Sequence, residues 1–415
     1  MLDQPEKLPS LSQIATDIKA TSENLYAHAY DHIHKASTSE LVAEGVGVAA
    51  TAASLYFLKK LPGGNAARTV KEAFTAPEDL LAELGAKKLP ANSSKSGVDL
   101  QYKISSDNAT RKVTVHLPPN FAPDKPTSVY YLLDGVQTNN PAGNMLGING
   151  WAKTADTHNL VAVNVEQSEK SKLTAFGMDL PKSIFGKPNP SVTSWSFDHG
   201  ILNKTAGIDD VQSFEAIHTR IQNSMSVKSN NLVAFSDGGT LANQLAATMP
   251  EGSIHGVANI ASTVMIDAPA IKPGIKGFFV NSMHDPTIPI DGGPGPKLTK
   301  WLPKVGHGNI LKSLPEQQEI RFAEANDLPL TPKVTDTPVY VQKEYGVSES
   351  DNAKVIAFKL KKGGHTWPGR DTGEGTSTSF TNANGDTVSH TEFPTNDKIV
   401  QFFESGRSIA RSLAH

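Results

Sequence analysis

The hexapeptide Ala234-Phe235-Ser236-Asp237-Gly238-Gly239 sets a serine in a glycine turn. A serine hydroxyl becomes a useful nucleophile only when a base removes its proton and a third group orients that base. Both partners follow further along the chain: Asp285 in His284-Asp285-Pro286, and His365 in Gly363-Gly364-His365-Thr366-Trp367-Pro368-Gly369. Taken singly, each has a plainer reading. Ser-x-Gly is common in turns, an aspartate before proline often caps or turns the chain, and a histidine among glycines suits an exposed loop. Asp267 and Asp291 stand as rival acids, although neither follows a strand-like run as closely. Serine, then acid, then histidine, each just after a strand-like run, is nonetheless the order that acyl-transfer chemistry on a strand-turn-helix scaffold requires. The expected roles are Ser236 as nucleophile, Asp285 as orienting acid and His365 as base.

The elements that must hold these residues are legible in the hydrophobic pattern. Val113–Leu117, Ser128–Leu133, Leu160–Val165, Asn231–Phe235, Gly256–Ile260, Gly277–Val280 and Val355–Leu360 read as strands. Between two of them, Asp209–Met225 carries Val211, Phe214, Ile217 and Ile221 at helical spacing, and a second helix is expected over Thr240–Thr248. Strands alternating with helices predict a mostly parallel sheet covered on both faces, an α/β fold. The run Asn231–Phe235 followed by Thr240–Thr248 gives Ser236 a strand on one side and a helix on the other. Small residues two before it (Ala234) and two after it (Gly238) let the two elements approach, and the turn aims the helix N-terminus at a bound ester. The main-chain N–H of Asp237 is therefore a natural oxyanion donor.

The 415 residues allow a catalytic domain over 96–415 and an extension over 1–95, which is Ala-rich and patterned for helix. Within that extension Ser37 and Glu40 have capping-box spacing before Leu41–Leu58, whose one charge is Glu44. A membrane-lying segment is one reading; a helix packed on the catalytic domain or on a protein partner is favoured, because Gly45, Gly47 and the Ala/Thr content make the stretch only weakly hydrophobic. Lys59-Lys60 and Pro62-Gly63-Gly64 end it. His28 and His32 stand at i,i+4 with His34 nearby, a metal-ligand spacing, but without a clear third ligand beyond Asp31 a solvated helix face is the simpler reading. The net charge of -3 gives no footprint for nucleic acid. With no cysteine, thiol catalysis, Cys-based zinc sites and disulfides are excluded. Met1-Leu2-Asp3-Gln4-Pro5-Glu6 lacks the basic and apolar regions of a signal peptide, so the sequence by itself reads as cytoplasmic.

Residues 98–408 resemble the esterase family that groups polyhydroxybutyrate depolymerases with feruloyl and acetylxylan esterases. The matching stretches are Leu133-Asp134-Gly135-Val136-Gln137-Thr138, Gly150-Trp151 with Ala155-Asp156, and Val165-Glu166-Gln167. They continue through Trp195-Ser196-Phe197, Asp209-Asp210-Val211, the serine turn, Asp285-Pro286 with Ile288-Pro289 and Gly292-Gly293, and the His365 heptapeptide. The resemblance implies an α/β-hydrolase fold, the Ser236, Asp285 and His365 triad, a second oxyanion N–H from Val136, and no metal or organic cofactor. It also implies a cleft lined by Trp195 and Phe197, with Trp367 beside them. Where the family usually has His-Gly this chain has Asp134-Gly135, and where it often has Cys this chain has Val136. Secreted relatives leave an extracellular location open.

The function expected is a serine carboxylesterase acting on a polyester, of polyhydroxyalkanoate or aromatic type, or on feruloyl or acetyl esters. The alternative is a weak or inactive hydrolase-fold scaffold working through residues 1–95. A peptidase is disfavoured because about 80 residues separate Asp285 from His365, too few for a propeller.

Overall fold

The computed structural model describes residues 97–106, 109–135, 145–168, 174–175, 178–179, 194–196, 208–264, 268–292, 315–346, 355–369, 379–381, 387–389 and 393–404. The expected helical extension, its Leu41–Leu58 stretch and its histidine cluster lie outside the described residues, as do Val136, Phe197 and Asp267.

In chain order the elements are β1 (Val98–Ser106), β2 (Ala109–Leu117), β3 (Thr127–Leu133), α1 (Met145–Ile148), α2 (Trp151–His158), β4 (Val161–Val165), β5 (Thr174–Ala175), β6 (Met178–Asp179), α3 (Asp210–Ser224), β7 (Val227–Phe235) and α4 (Gly238–Thr248). Then come β8 (Gly256–Ile260), β9 (Lys276–Ser282), α5 (Pro315–Ala325), β10 (Lys333–Asp336), β11 (Tyr340–Tyr345), β12 (Val355–Leu360), β13 (Ser379–Thr381), β14 (Thr387–Ser389) and α6 (Thr395–Glu404). Ten strands form one sheet in the order β1-β2-β4-β3-β7-β8-β9-β12-β11-β10, and β5-β6 and β13-β14 are small separate ribbons. From β4 to β12 every pairing in that order is parallel. The flanks are antiparallel, with β1 on β2 and β2 on β4 at one edge and β10 on β11 and β11 on β12 at the other.

Burial on both faces explains why the central strands read as continuous apolar runs rather than as alternation. In β3 every residue is buried. Tyr131 and Leu133 enter one core and Tyr130 and Leu132 the other. The first core is closed by Phe214, Ile217 and Ile221 of α3, by Leu241, Ala242 and Leu245 of α4, and by Phe322 of α5. The second is closed by Trp151 and Ala155 of α2 and by Ile399, Val400 and Phe402 of α6. Each fully buried side chain of this size contributes about 1.5–3 kcal/mol, so the sheet's central strands, covered on both sides, supply much of the core's stabilisation.

The helix expected over Asp209–Met225 is present as α3. Its start is set by the Asp209 carboxylate, which accepts from the N–H groups of Val211 and Gln212. The expected strands are all found, with β2, β7 and β9 longer than the pattern suggested. The edge strand β1 has a half-exposed alternating pattern, and β10 is exposed throughout. Such strands are held by pairing more than by burial, so their apolar signal is weak. Among the described residues no helix is long and apolar enough to cross a membrane.

Candidate active site

Ser236 follows β7 directly and α4 begins two residues later, so the backbone must reverse within Ser236-Asp237. The reversal puts Ser236 at φ +52°, a left-handed conformation that a non-glycine residue rarely adopts. The surrounding structure over-determines it: the Ser236 N–H donates to the Ile260 carbonyl of β8 at 2.9 Å, and its own carbonyl accepts from Gly239 N–H at 3.0 Å. Glycine is obligatory at the two positions that follow. A Cβ on Gly238 would lie 2.1 Å from the Leu133 carbonyl oxygen, and one on Gly239 would lie 2.0 Å from Ser262 Oγ. Ala234, by contrast, is fully buried beside Leu133, where its methyl group packs in the core.

Because β7, β9 and β12 run parallel, their C-terminal ends share one edge of the sheet, and the loops leaving them meet there. Ser236 follows β7, Asp285 follows β9 and His365 follows β12. The Ser236 hydroxyl lies 2.8 Å from His365 Nε2, and His365 Nδ1 lies 2.8 Å from Asp285 Oδ2. With Nδ1–H donating to the carboxylate, Nε2 carries the lone pair that faces the serine hydroxyl. The other Asp285 oxygen accepts from Thr287 N–H at 2.8 Å and Ile288 N–H at 2.9 Å, so this buried carboxylate is satisfied on both sides. Asp291 is exposed and has no part in this chain of hydrogen bonds.

This combination decides the fold. The chain has the α/β-hydrolase fold. The mixed order at one edge, the parallel centre, and a strained serine on the strand-to-helix turn with its acid and histidine on later strand ends together define it. No protein-family model matches the sequence, and no curated protein does. Solved structures to which it is similar include an S-formylglutathione hydrolase from Agrobacterium tumefaciens, with 11% identity over 66% of this chain and 91% of that one, at a TM-score of 0.40. A poly(3-hydroxybutyrate) depolymerase from Bordetella parapertussis is 13% identical over 61% of this chain and 82% of that one, at 0.36. A ferulic acid esterase is 16% identical over 40% of this chain and 59% of that one, at 0.29, so the matched part spans less than two thirds of that structure. The fold rests on this chain's own strand order.

Around the serine, the head of the loop after β3 comes close. A Cβ on Gly135 would lie 2.9 Å from Ser236 Cβ, so glycine lets this backbone rest against Ser236. The Gly135 N–H donates to Asp134 Oδ1 at 2.8 Å and the Gly135 carbonyl accepts from Gln167 Nε2 at 2.9 Å. Burial pushes the Asp134 carboxyl up to about 6, against the opposing pull of the Gly135 N–H. Asp237 stands at the N-terminus of the 11-residue α4. Its carboxylate accepts from Ser194 Oγ and, at 3.2 Å, from Trp195 N–H.

Of the aromatic residues expected on a cleft wall, Trp195 and Trp367 are buried. Trp195 is only 1% exposed and its indole N–H donates to the Asp134 carbonyl at 2.7 Å. Trp367 is 6% exposed, packs edge-on against Trp151, and donates to Asn396 Oδ1 at 3.0 Å. Both are internal struts, because an indole whose faces are packed and whose N–H is satisfied has no surface left for a ligand. The half-buried Phe235 is the ring beside the site, its centroid 5.3 Å from that of His365.

Sequence reasoning gave no role to Gln167, Ser194 or Ser282. Ser282 Oγ donates to the Gly363 carbonyl at 2.8 Å and accepts from His284 N–H at 3.2 Å, tying the Asp285 loop to the His365 loop. Its only advance signal is a position at the end of an apolar strand. Among the described residues no three His, Asp or Glu side chains converge as metal ligands would.

Proposed function

We propose that this protein is a serine esterase that hydrolyses carboxylic esters through an acyl-enzyme on Ser236. The observation that carries the reading is the hydrogen-bonded series Ser236–His365–Asp285, with the serine held at positive φ on the turn into α4. His365 Nε2 takes the hydroxyl proton as Ser236 Oγ attacks the ester carbonyl, and Asp285 stabilises the imidazolium through Nδ1–H. Charge on the carbonyl oxygen develops at the N-terminus of α4, where the Asp237 N–H donates, with the N–H of Val136 as the second donor. Protonated His365 then gives its proton to the leaving alkoxide. Water, deprotonated by His365, attacks the acyl-enzyme and frees the acid.

Within that class, polyester, feruloyl and acetyl esters are the substrates supported by the motif resemblance. A panel of aliphatic polyester, aromatic polyester, feruloyl ester and acetylated sugar ranks them by kcat/KM. The decisive experiment is Ser236→Ala assayed on p-nitrophenyl acetate. Hydrolysis is expected to fall by at least about a hundredfold with an unchanged melting temperature, since losing a triad nucleophile removes the covalent route. A variant with more than about a hundredth of wild-type activity refutes the assignment. Failure of a fluorophosphonate to label Ser236 in the wild type points instead to a binding scaffold.

A further inference from the structure

Trp195 touches both walls that flank the serine. Its main-chain N–H donates to the Asp237 carboxylate at 3.2 Å, on the turn into α4, and its indole N–H donates to the Asp134 carbonyl at 2.7 Å, on the loop after β3. Ser194, the residue before it, adds a second donor to the same Asp237 oxygen. The side chain between these anchors is a rigid bicycle, 1% exposed and packed in the core formed with α3 and α4, so the distance it sets is stiff.

The hold on the β3 loop continues one residue further. Gln167 Nε2 donates to the Gly135 carbonyl at 2.9 Å, so the carbonyls of two successive residues are pinned from outside the loop. Peptide units are planar, and a pinned carbonyl fixes the direction of the N–H on the same unit. On the first unit that N–H belongs to Gly135 and is already committed to the Asp134 carboxylate at 2.8 Å. The Gln167 contact holds the next unit at its Gly135 carbonyl, on the backbone that lies against Ser236.

We propose that Trp195 is a positioning residue for the oxyanion site, a strut that spaces the Asp237 N–H from the loop head at Asp134–Gly135, with Gln167 holding that loop head at the Gly135 carbonyl. The inference rests on the esterase reading and deepens it. Oxyanion donors act on the transition state more than on the bound ester, so a misplaced donor lowers kcat and leaves KM nearly alone.

The test uses Trp195→Phe, which keeps an aromatic filler and deletes the indole N–H, and Gln167→Met, which keeps the length and deletes the amide donor. Each is compared with wild type and Ser236→Ala in the full chain on p-nitrophenyl acetate, with inhibition by an alkyl trifluoromethyl ketone, whose adduct carries the oxyanion. Either variant is expected to lose about tenfold in kcat with KM within about twofold, and to lose inhibitor affinity in parallel. If Trp195→Phe fails to fold, Gln167→Met decides. Folded variants with wild-type kcat and inhibitor affinity, or a loss confined to KM, overturn the inference while a dead Ser236→Ala leaves the esterase reading standing. An active Ser236→Ala overturns both.

Discussion

Asp134 occupies a costly position. Its carboxyl is raised to about 6 by burial, and the one main-chain N–H it accepts does not offset that burial. A raised carboxyl favours the protonated form in the folded protein, so its contribution to stability is full below the ordinary aspartate value near 3.8 and is lost as pH rises through about 6. Above pH 6 the fold therefore carries an ionised group it would shed. Asn at 134 presents the same acceptor to Gly135 without a charge. Asp134→Asn is expected to be more stable than wild type by about 1–3 kcal/mol at pH 8, the gap closing toward pH 4. Urea melts at both pH values read this directly, and a pH-independent gap would show that the carboxyl is not the cause.

The turn from β7 to α4 is where element geometry and chemistry coincide. Its tightness comes from Gly238, whose missing side chain lets the helix start against the Leu133 and Asp134 carbonyls, the two atoms nearest to where a Cβ would stand, at 2.1 and 2.7 Å. An alanine there must push α4 away from β3, and the Asp237 N–H moves with it. Gly238→Ala is expected to cost about 2–4 kcal/mol and to lower kcat more than a hundredfold even at temperatures where the variant is folded. Circular dichroism melts paired with steady-state kinetics separate the two effects. The other elements at this edge were legible as apolar runs, but the bond from Ser282 to Gly363 was not, because a serine at a strand end carries no periodicity to betray it.

Across the whole molecule, one buried ion pair joins parts that the strand pattern leaves separate. Arg111 on β2 bonds Asp210 at the start of α3, both side chains being essentially inaccessible, and the other Asp210 oxygen accepts from Ser196 N–H. The antiparallel edge, α3 and the segment carrying Trp195 are thus tied through a single carboxylate. A buried pair adds little over an apolar replacement of both partners, but removing one partner strands the other charge. Arg111→Met is expected to destabilise by about 3–5 kcal/mol, and the further change Asp210→Asn to restore part of that loss. Urea unfolding of the single and double variants checks it; equal loss in both would mean that packing of the Arg111 stem, rather than charge, is what counts.

What the sequence determined by itself was the central strands and the order in which Ser236, Asp285 and His365 follow them. Apolar runs in β3, β7, β8, β9 and β12 are strong local signals, because strands buried on both faces tolerate little else. Ser236, Asp285 and His365 could be singled out because each comes shortly after such a run, and the structure brings the three into one hydrogen-bonded series. Tertiary structure alone decided which of the loop side chains are packed away. The family resemblance put Trp195 and Trp367 at a cleft, yet packing from elements distant in sequence buries them, and burial is a property of neighbours that no local window contains. The edge strands β1 and β10, and β11 next to β10, exist for the same reason: their backbone groups are satisfied by partners across the sheet, so their own side chains need show only a faint pattern. The spacing between the two walls of the serine site belongs to this second kind of information, set by contacts from Trp195 to residues some 40 to 60 positions away.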